Sequence, residues 1–126
     1  MLEPKRIDSN IAPAITESLG NGNWYYNYDI KSEKVELPLQ EGETVPKEEI
    51  RYNYIQIKLS EKPEYKKCVE LLIREFITQT QEFDLINSAN KAILSGAKSS
   101  EDITKYREYL DKVEEIKEKV TKDLGK

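Results

Sequence analysis

The spacing of apolar residues changes at Ser60, from every second residue to alternating steps of three and four. Before Ser60, the runs at residues 24–30 (WYYNYDI) and 50–59 alternate between two faces, and a shorter run lies at 34–37. Period-two alternation in runs rich in Tyr, Ile and Val is typical of strands. The pattern therefore predicts a small antiparallel β-sheet at about residues 24–59.

After Ser60, the heptad pattern predicts an antiparallel α-helical hairpin, a coiled-coil-like module over residues 60–126. Its two helices are expected at about residues 63–94 and 99–124. A sheet followed by a helical hairpin makes the expected fold class α+β, with an N-terminal arm before the sheet.

Local signals mark the ends of these helices. Pro63 is placed as in a first helical turn, Ser95-Gly96 ends the first helix, and Ser99 followed by Asp102 resembles the start of the second. Two threonines lower the helix propensity of residues 78–81 (TQTQ). Whether the first helix is unbroken there stays open.

The hairpin has an apolar seam along each helix. The seam residues are Val69, Leu72, Phe76, Phe83, Ile86, Ile93, Ile103, Tyr106, Leu110, Val113 and Val120. Gln79 and Asn90 interrupt it, and they either fix its register or face outward. If the two seams close on each other, the hairpin buries itself; otherwise Phe76, Phe83 and Ile86 should pack against another copy of the chain. Since burial of a large apolar side chain contributes ~1.5–3 kcal/mol, we expect Phe83→Asp to be severely destabilising.

Residues 1–23 are interpreted as an N-terminal arm. Pro4 and Pro13 exclude a continuous helix, and residues 20–23 (GNGN) form a strong turn cluster. A short helix at residues 13–19 is one interpretation of the apolar spacing. The arm is either a frayed terminus or a segment that becomes ordered on a partner.

Two groups of residues are candidates for a partner interface: the apolar series of the arm and the aromatic side chains of the sheet. Tyr and Trp give a large, fairly rigid contact area with a polar tip, which suits interfaces. The candidates are Ile7, Ile11, Ile15, Leu19, Trp24, Tyr26, Tyr28, Tyr52 and Tyr54. Aromatic residues also favour strands as such, so the core of the sheet is the alternative place for them.

The composition argues against catalysis and against a bound metal or cofactor. The chain has no His and a single cysteine, Cys68, which excludes imidazole metal sites, thiolate zinc sites and nucleophiles with a His base. Its five glycines form no phosphate-binding loop. Adjacent carboxylates at residues 48–49, 101–102 and 114–115 are typical of solvated surfaces. We therefore predict no catalytic, cofactor-binding or metal-binding residues, and a small carboxylate-based enzyme is the remaining enzymatic alternative.

The formal net charge of −4 does not favour electrostatic binding to nucleic acid. No apolar stretch reaches the ~18–20 residues of a membrane span, and the first residues lack the apolar region of a secretory signal. A single cysteine fits a reducing cytoplasm. We expect no nucleic-acid partner and no membrane partner.

Four segments between Ile50 and Val120 carry a resemblance to a known family. They are a tyrosine-rich strand, IRYNYIQIKL, and then KPEYKKCVELLIREF, QEFDLINSANKAIL and YREYLDKVEEIKEKV. Together they resemble small proteins of Bacteroides-type phages and prophages that lie among head- and tail-appendage genes. A weaker likeness, in the YxxYLxxV pattern from Tyr106 to Val113, is to the C-terminal helical hairpin of phage tail-fibre assembly proteins.

The resemblance implies a non-enzymatic structural protein of the phage virion, an interaction module of a head or tail appendage. Its implied partners are other phage structural proteins, such as capsid or fibre subunits, and further copies of itself in a homo-oligomer. Such a protein would be assembled in the cytoplasm of the bacterial host and be located in the virion. A tail-fibre assembly chaperone is the alternative. The apolar arm favours the structural role, because a chaperone has to release its partner and so favours smaller, more polar contacts.

Overall fold

The computed structural model describes residues 1–96 and 100–125, and it confirms the predicted α+β class. In this part of the chain, a four-stranded antiparallel sheet is followed by three helices. The elements are β1 (Ile7–Ser9), β2 (Thr16–Ser18), β3 (Trp24–Glu36), β4 (Glu48–Leu59), α1 (Tyr65–Phe76), α2 (Gln79–Leu94) and α3 (Glu101–Leu124). Two compact units result, which we name the sheet unit (Lys5–Pro63) and the helical unit (Met1–Pro4 with Glu64–Lys126).

The hairpin of β3 and β4 forms the centre of the sheet, whose strand order is β1-β4-β3-β2. The pairing register shifts at a bulge between Tyr28 and Lys31, where Asp29 has a φ of +54°. Asp tolerates this left-handed conformation better than most residues, and a bulge lets a strand continue past an extra residue. The two separate strands expected at residues 24–30 and 34–37 are therefore one strand.

The first two strands lie at opposite edges of the sheet, since β1 pairs with β4 and β2 pairs with β3. The connection at residues 10–15 consequently runs from one edge to the other. The arm expected at residues 1–23 is thus part of the sheet from Ile7 onward, and the short helix at residues 13–19 is wrong. Pairing with a hairpin edge satisfies backbone groups that would otherwise stay unpaired. The turn cluster is confirmed, with positive φ throughout residues 20–22.

The helix expected at residues 63–94 is broken after Phe76, so its unbroken form is wrong. Ile77 is extended, with φ −154° and ψ 136°. Thr78 then starts α2 with a capping box: its Oγ1 accepts a hydrogen bond from Gln81 N at 3.1 Å. In return, the Gln81 side chain accepts one from Thr78 N at 3.0 Å. Because a capping box satisfies the free N–H groups of a helix start, it favours a new helix at this point.

Helix α3 nevertheless packs against both α1 and α2. It runs antiparallel to α1, since Phe76 at the end of α1 lies beside Lys112, whereas Tyr65 at the start of α1 lies beside Thr121 near the end of α3. Helix α3 follows Ser100, whose side chain accepts a hydrogen bond from Ile103 N at 3.2 Å. The start expected at Ser99 lies outside the described residues. At the other end of the chain, Leu2 N donates to the carbonyl oxygen of Phe76 at 2.7 Å. This bond satisfies a carbonyl at the end of α1, so the first residues belong to the helical unit.

Candidate functional site

The helical unit buries only part of the predicted seam. Five seam residues are buried, three are half-buried, and three are exposed. The buried residues are Val69, Leu72, Phe76, Ile103 and Val120. The half-buried residues are Ile86, Tyr106 and Val113. The exposed residues are Phe83, Ile93 and Leu110. The buried members lie mainly on α1 and on the part of α3 that packs against it, whereas the exposed members lie on α2 and at the middle of α3.

The break at Ile77 explains this difference. A heptad pattern holds its phase only along a continuous helix, and α2 starts with a new phase after the extended residue. On α3, Tyr109 and Ile116 are buried, while Lys117, which occupies the step between Val113 and Val120 in the spacing of the predicted seam, is exposed. Sequence reasoning missed these two residues, although the spacing from Tyr109 through Val113 and Ile116 to Val120 is also a heptad pattern and contains no lysine.

A polar network joins the three helices inside the helical unit. The Tyr109 hydroxyl donates a hydrogen bond to Glu82 Oε2, and Arg74 Nη2 donates one to Glu82 Oε1 at 3.0 Å. Burial and the hydrogen bond to Glu82 raise the pKa of Tyr109 to about 12. Burial favours the neutral form of Glu82, but its bonds with Tyr109 and Arg74 outweigh that effect and lower its pKa. Tyr109 therefore acts as a neutral donor and Glu82 as an ionised acceptor.

A second group of charges covers the end of α1. Lys112 Nζ lies 4.2 Å from the ring centroid of Phe76 and 3.1 Å from Glu115 Oε2. Lys119 Nζ contacts the other oxygen of Glu115 at 3.0 Å. Hydrogen bonds from these two lysines lower the pKa of Glu115. The arrangement shields the aromatic ring while keeping every one of these charges paired.

The Tyr109–Glu82 bond fixes the level at which α2 and α3 face each other. The residue that follows Glu82 and the residue that follows Tyr109 are each rotated by about 100° around their own helix axis. Because the two helices are antiparallel, both rotations point to the same side of the helix pair. Phe83 and Leu110 therefore lie on one side of the helix pair, where they are 56% and 43% exposed. Ile93 and Leu94, 55% and 88% exposed, lie at the end of α2. We name these four residues the α2–α3 face.

Polar side chains border the α2–α3 face. Asn87 and Asn90 are exposed on α2, and Arg107 and Glu114 are exposed on α3, before and after Leu110. Within the described part of the chain, neither Arg107 nor Glu114 takes part in an ion pair. An apolar centre with a polar border is the ordinary composition of a protein–protein contact surface.

The aromatic candidates of the sheet lie mostly in the interior. Tyr26, Tyr28 and Tyr54 are buried, so the core interpretation is the right one for these three residues and they offer no partner surface. Trp24 and Tyr52 are half-buried. The alternation along β3 places Trp24, Tyr26 and Tyr28 on one side of the strand, as the sequence indicates.

The opposite side of β3 carries Asn27, which is fully buried. Its Nδ2 donates to the carbonyl oxygen of Ala14 at 2.7 Å, and its Oδ1 accepts from Gln56 Nε2 at 3.1 Å. Its backbone N donates to the carbonyl oxygen of Ile15 at 2.8 Å. These bonds fasten the connection at residues 10–15 to the central hairpin, which is a structural role.

Three of the four arm candidates are accessible. Ile11, Ile15 and Leu19 are 74%, 42% and 42% exposed, whereas Ile7 is half-buried within β1. The exposed three lie on the connection that crosses the sheet and beside the following turn, not on one helix. They stay candidates for a partner contact, but no single surface of the sheet unit gathers them.

A polar network at the bulge was not found by sequence reasoning. The Arg6 guanidinium donates a hydrogen bond to the side-chain oxygen of Asn53. It also donates two to Asp29: one to the carboxylate at 3.1 Å, and one from Nη2 to the backbone carbonyl oxygen at 2.7 Å. Asn53 Nδ2 donates to Asp8 Oδ1 at 2.6 Å. The network holds β1 to the bulged hairpin. No periodic pattern predicts it, because its members are far apart in sequence.

The described residues offer little for covalent or metal chemistry. Burial raises the pKa of the Cys68 thiol to about 11, which keeps it protonated and unreactive. Residues 1–96 and 100–125 contain no group of three or more His, Cys, Asp or Glu side chains that could hold a metal ion. A groove of about 440 Å³ in the helical unit brings together one lysine and one carboxylate; it is lined by Met1, Ile77, Gln81, Leu85, Lys105 and Glu108.

No helix among the described residues is long and apolar enough to span a membrane. Comparison of the chain with protein-family models, with curated proteins and with solved structures gave no match. The α2–α3 face is the surface of the helical unit that offers a candidate site for a partner contact.

Proposed function

We propose that the protein is a non-enzymatic structural protein of a phage virion, an interaction module of a head or tail appendage. In this proposal its contacts with capsid subunits, fibre subunits or copies of itself include the α2–α3 face. The observation that carries the proposal is the group of exposed large apolar side chains on two adjacent helices, of which Leu94 is 88% exposed. Such a patch is costly in water and marks an interaction site when it is contiguous and bordered by polar residues.

The distribution of exposed apolar residues supports the choice of this face. In the sheet unit, the exposed large side chains include Leu39 and Val45 in the loop between β3 and β4, Ile11 in the connection before β2, and Ile30 and Ile50 on the strands, which are 36% and 45% exposed. Single exposed apolar residues on loops are ordinary in proteins. On α2 and α3, by contrast, Phe83 and Leu110 lie on the same side of a pair of helices, and an exposed aromatic side chain on a regular element is a suitable anchor for a partner.

The phage context rests on the resemblance of residues 50–120 to small proteins encoded among head- and tail-appendage genes. The tail-fibre assembly chaperone remains the competing role, and it differs in one measurable respect: a chaperone leaves the finished particle.

Quantitative mass spectrometry of purified phage particles tests this proposal. Particles are prepared from a phage whose own copy of the gene encodes the wild-type chain, Leu110→Asp, or the control Glu108→Arg, which changes an exposed residue on the other side of α3. We expect a fixed stoichiometric amount of the wild-type and control chains in the particles and a strongly reduced amount of Leu110→Asp. Absence of the wild-type chain from particles, with recovery on fibre protein in lysates, would contradict the structural role.

A further inference from the structure

The charged residues on either side of Leu110, Arg107 and Glu114, form a self-complementary arrangement. Arg107 precedes Leu110 by three residues and Glu114 follows it by four, so both lie on the same side of α3 as Leu110. At a rise of about 1.5 Å per residue, the two charges lie about 4.5 Å and 6 Å from Leu110 along the helix axis. Their signs are opposite, and neither takes part in an ion pair within the described residues.

This arrangement selects the orientation of a helix packed against it. If a second α3 lies antiparallel and is related by a twofold axis at Leu110, Arg107 of each copy faces Glu114 of the other, and two ion pairs form. If the second α3 lies parallel in the same register, Arg107 faces Arg107 and Glu114 faces Glu114. The antiparallel twofold contact is thus favoured electrostatically, and it is the isologous type of contact that closes a dimer.

The apolar residues agree with the same axis. The twofold axis passes at Leu110. Phe83 lies on α2 at about the same height along the helix pair as Leu110, because the Tyr109–Glu82 bond joins the residues that precede them. A twofold axis that passes both residues therefore brings Leu110 onto Leu110 and Phe83 onto Phe83 of the second copy. The exposed apolar area is covered at the centre, and the charged residues remain at the border, where they direct orientation.

We infer that the α2–α3 face binds a second copy of this chain, with the two α3 helices antiparallel and Arg107 of each copy paired with Glu114 of the other. The inference rests on the proposed function only for the choice of surface. It assigns the α2–α3 face to self-association rather than to contact with a capsid or fibre subunit.

Analytical ultracentrifugation of the full-length chain at low ionic strength tests the inference. The wild-type chain should sediment as a dimer. Arg107→Glu and Glu114→Arg each place two pairs of like charges across the axis, and each variant alone should dimerise at least tenfold more weakly. An equimolar mixture should recover a dimer of near wild-type affinity, because all charges in the mixed dimer are complementary. The double variant should recover it too.

Glu108→Arg is the matched control, since it makes the same change of charge on the opposite side of α3. It should leave the dimer unchanged, and circular dichroism should show wild-type helix content in every variant. A wild-type chain that stays monomeric overturns the inference, as does a mixture of the two single variants that stays monomeric. Neither result bears on the presence of the chain in phage particles, so the two proposals can fail separately.

Discussion

In the sheet unit, polar side chains complete the structure, whereas in the helical unit apolar packing dominates and leaves one side open. Arg6 and Asn27 each fasten an N-terminal segment to the central hairpin through several hydrogen bonds. The helical unit instead buries Leu72, Ile116 and Val120 along α1 and α3, and it leaves Phe83 exposed on α2. In the function proposed above, a partner binds at the open side of the helical unit.

The largest effect is expected for Leu72→Ala. Leu72 is fully buried, and truncation of a buried leucine typically costs about 2–5 kcal/mol because it leaves a cavity. Phe83→Asp, in contrast, should change the free energy of unfolding of the monomer by less than about 1 kcal/mol, since over half of its side chain is already in water. This small expected change replaces the severe destabilisation that the seam pattern predicts for Phe83→Asp.

Urea unfolding monitored by circular dichroism at low protein concentration checks this pair of variants. Equal losses for Leu72→Ala and Phe83→Asp would show that the helical unit has no open side, and the contrast between the units would then disappear.

Asn27→Ala tests whether polar contacts hold the sheet unit. The substitution leaves the carbonyl oxygen of Ala14 and the side-chain amide of Gln56 without their partner, and unsatisfied buried groups cost about 1–3 kcal/mol. Ser32→Ala, at an exposed position of β3, is the control and should be nearly neutral. Hydrogen exchange should also show faster exchange of the backbone amide of residue 27, which is bonded to Ile15. A neutral Asn27→Ala would mean that apolar packing suffices in both units.

Thr78→Ala tests the break that separates α1 from α2. It removes the side-chain half of the capping box and should cost about 0.5–2 kcal/mol. Thr80→Ala is the matched control, because Thr80 is exposed in the first turn of α2 and lies outside the capping box. Thermal unfolding of the two variants gives the comparison, and identical melting temperatures would rule out a stabilising cap.

The smallest effect is the pH dependence that arises from Glu82. Its pKa is lowered in the folded chain, so its contribution to stability is complete above about pH 4.3, the ordinary pKa of Glu. This contribution is lost as the pH falls through the lowered value. Tyr109→Phe removes one hydrogen bond to Glu82, so the pKa of Glu82 should rise and the acid dependence of the unfolding free energy should weaken.

Tyr106→Phe makes the same chemical change on the tyrosine ring that stacks on Tyr109 at a centroid distance of 6.2 Å. It should leave the acid dependence unchanged. Unfolding free energies measured between about pH 5 and pH 2 distinguish the variants, and indistinguishable slopes for wild type and Tyr109→Phe would exclude the proposed cause.

The sequence by itself predicts the α+β class, strands within β3 and β4, and α3. These elements follow from local periodicity: alternation with period two in WYYNYDI, heptad spacing from Tyr106 to Val120, and turn residues at 20–23. Local backbone preference and local amphipathicity act over a few residues, so they can be read from a single chain. The absence of His and of a second Cys likewise limits the chemistry through composition alone.

Only the tertiary structure decided which apolar residues are buried. The capping box at Thr78 gives α2 a new helical phase, and Phe83 stays outside the core. On α3, packing against both α1 and α2 buries Tyr109 and Ile116 and leaves Leu110 exposed. Likewise, only the pairing of strands distant in sequence decided that the N-terminal arm supplies the edge strands β1 and β2 and forms no helix at residues 13–19. Phase and pairing depend on contacts between elements, and no local pattern determines those contacts. The α2–α3 face is consequently a property of the folded chain.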